Sequence, residues 1–131
     1  MNHQLSSRHI AFPVVVLLAA LALGACSAVA DLGPMADTGE SLMKAMKASD
    51  NAASYHLLGS ALQKEIGGEQ GWAAFAKPRV PTQWNFSNKS IENGQGKLEG
   101  TVSFANGQNL NVVLVLIKES SDWRIAGINF Q

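Results

Sequence analysis

The 131-residue chain carries ten basic and ten acidic side chains, so there is no basic excess to neutralise phosphates and no nucleic-acid partner is expected. A single cysteine leaves no pair for a disulfide, and three histidines, two of them before residue 10, are too few for a metal site built on His and Cys ligands. With 47% hydrophobic and 15% charged residues the composition suits one domain with one core.

Arg8 and the N-terminal amine precede an apolar run over residues 10–23, interrupted only by Pro13. Those 14 residues fall short of the roughly 20 needed to span a bilayer as a helix, so the run reads as a signal peptide over 1–25. Its end, Leu23-Gly24-Ala25-Cys26, resembles the bacterial lipobox. The resemblance implies cleavage before Cys26, a diacylglyceryl group on its sulfur and an acyl chain such as palmitate on its new amine. Several acyl chains, at about 0.8 kcal/mol per buried CH₂, would hold the protein in the membrane of a bacterial envelope effectively permanently. Ser27 follows where an Asp would signal retention at the inner membrane, so the resemblance points to the periplasmic face of the outer membrane. Cleavage removes Arg8 and leaves nine basic against ten acidic side chains.

Residues 26–37, with Gly33-Pro34, read as a lipidated N-terminus and tether, followed by a domain over 38–131. Asp37 and Glu40 have capping-box spacing, which predicts a helix over 38–48 with Leu42, Met43 and Met46 on one face. Asp50 caps a second helix that carries Tyr55, Leu58, Leu62 and Ile66 at helical spacing, weakened near Gly59 and stopped at Gly67-Gly68. A short third helix over 69–76 presents Trp72 and Phe75, and Pro78 and Pro81 end it.

From residue 82 the period becomes two. A first strand carries Trp84 and Phe86, and a second places Leu98, Gly100, Val102 and Phe104 on one face. A three-residue loop, Ala105-Asn106-Gly107 with Gly107 left-handed, keeps Leu110, Val112 and Leu114 of the third strand on that same face; a two-residue loop would reverse them. A four-residue turn over 119–122 would lead into a fourth strand with Trp123, Ile125 and Gly127 on the Leu98 face. The opposite face would then collect Val113, Val115, Ile117, Ala126, Ile128 and Phe130, too apolar a set to lie bare in water.

Helices followed by strands give an α+β domain: two to three N-terminal helices packed on one face of a curved four-stranded antiparallel meander. The Tyr55–Leu62 helix, the Asn106-Gly107 hairpin and the ending Trp123-Arg124-Ile125-Ala126-Gly127-Ile128 resemble small bacterial domains of the nuclear-transport-factor-2-like or cystatin-like type. That resemblance implies a sheet wrapped on helices, in many members an apolar cavity between them, and dimers formed through the outer sheet face. Val113, Val115, Ile117, Ile128 and Phe130 are the interface candidates for a homodimer; a fold-back of the tether over the same strands is the alternative.

Isomerase-like members of that superfamily use carboxylates on the cavity face, and the expected cavity-facing residues here include none. No catalytic residue, metal or cofactor is therefore assigned. Tyr55, His56, Trp72, Phe75, Trp84, Phe86 and Trp123 are candidates to line a pocket for a small apolar ligand; otherwise they fill the core. The sequence favours a non-catalytic module that binds such a ligand or another envelope protein, with an isomerase- or hydratase-like enzyme as the alternative.

Overall fold

The structure, a computed structural model, describes residues 30–131. The residues expected to form a signal peptide and lipobox, with Cys26, lie outside the described residues. Residues Leu32–Gln131 form one compact unit.

Helix α1 is described over residues 30–47 and is longer at its start than the capping box predicts. Met35, Gly39, Leu42, Met43 and Met46 are buried along it, and Leu32 packs against the same core. These positions continue one stripe at three- and four-residue steps, so burial carries the helix back through residues read as tether. Asp37 is an exposed mid-helix residue, and Glu40 accepts a 2.7 Å hydrogen bond from Trp84 Nε1 instead of capping. Met35 approaches Gly96 and Trp123 on the inner side of the sheet, not the outer one.

The second predicted helix is two. Asp50 caps α2 (Asn51–His56) through its side chain to Ala53 N, and α3 spans Ser60–Glu65. Between them Leu58 forms a parallel bridge with Ile125: Gly59 N donates to Ile125 O at 2.8 Å, and Ile125 N to Leu57 O at 2.9 Å. These backbone groups are taken by a strand edge, so the helical ladder breaks there. Helix α4 (Gly68–Ala76) follows a left-handed Gly67.

Strands β1 (Pro81–Glu92), β2 (Gln95–Phe104), β3 (Asn109–Glu119) and β4 (Asp122–Phe130) form a four-stranded antiparallel sheet in the order β1-β2-β3-β4. Val102 faces Leu110 and Leu98 faces Leu114, and Gly107 has φ +92°, as the three-residue loop requires. β1 breaks register between Phe86 and Asn88 as it passes over Gly100, where an added Cβ would lie 1.7 Å from Asn85 O. The bulge and the glycine together bend the sheet.

The β3–β4 connection is tighter than predicted. Glu119 pairs with Asp122, leaving Ser120 and Ser121 as a two-residue turn with both φ positive, 52° and 80°. A second difference has larger consequences. Leu116 pairs with Ile125 but Val115 with Gly127, so Ala126 is a bulge residue and the alternation of β4 reverses after it. Ile128 and Phe130 consequently join Leu114 and Val112 on the inner face, and the Phe130 ring meets Phe104 edge-on at 5.1 Å. Of the five interface candidates only Val113, Val115 and Ile117 lie on the outer face, each half-buried.

Candidate functional site

The aromatic pocket candidates are distributed through the core and its margins. Trp72 is fully buried, and its Nε1 donates to Ser54 Oγ at 2.7 Å; Ser54 in turn donates to Asp50 O at 2.9 Å. Phe75 stacks on Trp72 at 5.4 Å and on Phe130 at 6.4 Å, with the Arg79 guanidinium over its ring. Phe86 and Trp123 are buried, Trp84 is held by Glu40, and Tyr55 and His56 are neighbours with ring centroids 6.1 Å apart. Four surface clefts among the described residues are each lined by at most one of these side chains.

One of those clefts, about 350 Å³, lies where the α2–α3 connection meets the β3–β4 turn, and His56, Ser60, Gln63, Glu119, Asp122 and Arg124 line it. Glu119 Oε2 accepts from Ser60 N at 2.9 Å and from Ser60 Oγ at 3.2 Å, supplying the cap that Gly59 lacks. A Cβ on Gly59 would come within 2.9 Å of that carboxylate oxygen, the end of a flexible side chain, and 3.4 Å of Ile125 O, so the connection passes close to β4. Arg124 donates to His56 O and lies 3.7 Å from Asp122. These contacts join the helical layer to the last hairpin. Ser60, Glu119 and Arg124 were not foreseen as neighbours, because 59 residues separate Ser60 from Glu119 and no local pattern links them.

A second cleft of about 300 Å³ runs from Pro34 and Thr38 on α1 to Trp123 and Arg124 on β4. Trp123 Nε1 is buried without a hydrogen-bond partner among the described residues. On the inner face Leu98, Val102, Leu114, Leu116 and Ile125 are fully buried, and Ser54 is the only buried polar residue among those described. No carboxylate faces the core from the sheet. Among the described residues no three His, Cys, Asp or Glu side chains are grouped to hold a metal ion.

No protein-family model matches the chain, and no curated protein matches it. Solved structures do. A DUF4783 family protein from Bacteroides uniformis is 17% identical with a TM-score of 0.54, over 70% of this chain and 94% of that one. A second DUF4783 family protein, from Bacteroides ovatus, is 16% identical with a TM-score of 0.53, over 69% of this chain and 90% of that one. An NTF2-like protein of unknown function from Cytophaga hutchinsonii is 11% identical with a TM-score of 0.51, over 74% and 89% of the two chains. The fold is nuclear-transport-factor-2-like. At these identities the likeness speaks for the fold alone, and a nuclear-transport-factor-2-like fold hosts function only through its particular site.

Proposed function

We propose that this chain is a lipid-anchored cell-envelope protein, held by acylated Cys26 at the periplasmic face of the outer membrane, whose domain docks a partner and does not catalyse. The order of charge, apolar run and lipobox supports the anchor. No helix among the described residues is long and apolar enough to cross a membrane.

The observation that carries the docking role is the contrast between the two faces of the sheet. The inner face is closed against α1, with Leu42, Met43, Leu98 and Leu114 fully buried, whereas Val113, Val115 and Ile117 stay half-exposed on the outer face. Gly127, paired with Val115, leaves a notch beside that stripe. The charged groups of the cleft at His56 are engaged with one another or with backbone, which makes that cleft a joint between layers.

Val115→Asp, which puts a charge in the centre of the stripe, is expected to reduce capture of envelope partners cross-linked to the anchored protein by roughly tenfold or more, the loss typical of a central contact residue. His56→Ala should leave capture unchanged. Loss of capture with His56→Ala and its retention with Val115→Asp would place the working surface at the cleft and overturn the proposal.

A further inference from the structure

The two edges of the sheet are treated differently. Along β1 the edge is interrupted by register breaks at Pro81/Gln83 and Phe86/Asn88 and carries Lys89 and Glu92. Bulges, proline and charge are the devices that keep an open edge from pairing with another strand. On the β4 side, Leu57 and Gly59 cover the edge at Ile125, but residues 126–131 contain neither a charged side chain nor proline.

The ladder shows which groups that stretch presents. Asn111 and Gln131 exchange both backbone hydrogen bonds, at 2.7 and 2.9 Å. Alternation then makes Val113–Asn129 and Val115–Gly127 the other hydrogen-bonded pairs with β3, so Ile128 and Phe130 turn N–H and C=O outward to the free edge. These groups receive no backbone hydrogen bond from outside the sheet among the described residues.

The spacing is symmetric about Asn129, and we infer that two copies of this chain join edge to edge, β4 against β4 in antiparallel sense, with the Asn129 side chains meeting at the two-fold axis. Ile128 of one copy exchanges both hydrogen bonds with Phe130 of the second, and the reverse pair completes the seam. A primary amide both donates and accepts, so Asn129 is complementary to itself there. Ile128 and Phe130, half-buried on the inner face of each copy, come together across the seam and lose their remaining exposure. With no charged side chain over 126–131, no side-chain repulsion opposes pairing with a like edge.

Asn129 is exposed on the outer face, so substituting it leaves the core untouched. Across the seam it forms a non-hydrogen-bonded pair, with Cα atoms about 4.5 Å apart, within the range of a disulfide. Asn129→Cys in the full chain, in its own membrane and treated with diamide, should run mostly as a covalent dimer. The unmodified chain, with Cys26 alone, and Val115→Cys should both remain monomeric under the same treatment. As a second measurement, Asn129→Asp and Asn129→Lys should each reduce chemical cross-linking between copies, and co-expression of the two should restore it. A monomeric Asn129→Cys protein, or cross-linking through Val115→Cys in its place, would overturn the edge dimer; neither result bears on whether Val115→Asp loses an envelope partner.

Discussion

Gly100→Ala is expected to destabilise the domain by about 3 kcal/mol, the upper end of what overpacking costs, and to lower Tm by roughly 12–24 °C. Gly100 lies between Leu98 and Val102 on β2, where β1 bulges across it. Its added Cβ would meet Asn85 O at 1.7 Å and Phe86 Cα at 2.9 Å, both backbone atoms that no rotamer change can move aside. Relief therefore requires shifting β1 itself, along with the buried Phe86 and the Trp84–Glu40 hydrogen bond. Gly39 makes an instructive contrast. A Cβ there would lie 2.3 Å from Leu98 Cδ1, the end of a flexible side chain, so Gly39→Ala should be the milder of the two. Thermal unfolding followed by circular dichroism separates them, and a Gly100→Ala protein melting within about 4 °C of the parent would mean that the bend is not fixed at this point.

Trp72→Ala should cost about 3–5 kcal/mol, a large part of the 5–15 kcal/mol that holds a domain of this kind together. Trp72 is fully buried beneath α2 and stacked on Phe75, so its removal leaves a cavity and an aromatic neighbour without its partner. Its hydrogen bond adds a separable contribution. Ser54→Ala leaves the Trp72 N–H buried and unpaired at a cost of about 1–3 kcal/mol. In a Trp72→Phe background the same substitution should cost less, because no indole N–H remains to be orphaned. Denaturant unfolding of the two single variants and the double variant gives the coupling directly, and equal costs of Ser54→Ala in both backgrounds would show that the hydrogen bond contributes nothing.

Period and turn chemistry foretold much of this fold, and the places where they did not share one cause. The strands and the three-residue loop at Ala105-Asn106-Gly107 were legible because side-chain parity leaves one loop length that keeps Phe104 and Leu110 on one face. Asp50 as a cap and Trp72 with Phe75 on a short helix were legible for similar local reasons. The reach of α1 was missed because Gly33-Pro34 outweighs the stripe of Leu32 and Met35 until the sheet that buries them is known. Gly59 was visible as a weak point, yet only the edge of β4 explains why the chain leaves the helix there. The bulge at Ala126 carries no local mark, and by reversing the alternation it moved Ile128 and Phe130 from the expected interface into contact with the core. The cleft at His56 depends on residues distant in sequence and so had no signal at all.

The proposed function rests on where the chain is held, and acylation of Cys26 is the part of the proposal that would decide it. Mass analysis of the N-terminal peptide of the protein isolated from its envelope is the most direct measurement. The account predicts a chain that begins at Cys26, carries a diacylglyceryl group on sulfur and an acyl chain on the amine, and partitions with the membrane, whereas Cys26→Ala does not. A mature chain with an unmodified Cys26, or a Cys26→Ala protein that still sediments with the membrane at unchanged mass, would contradict it.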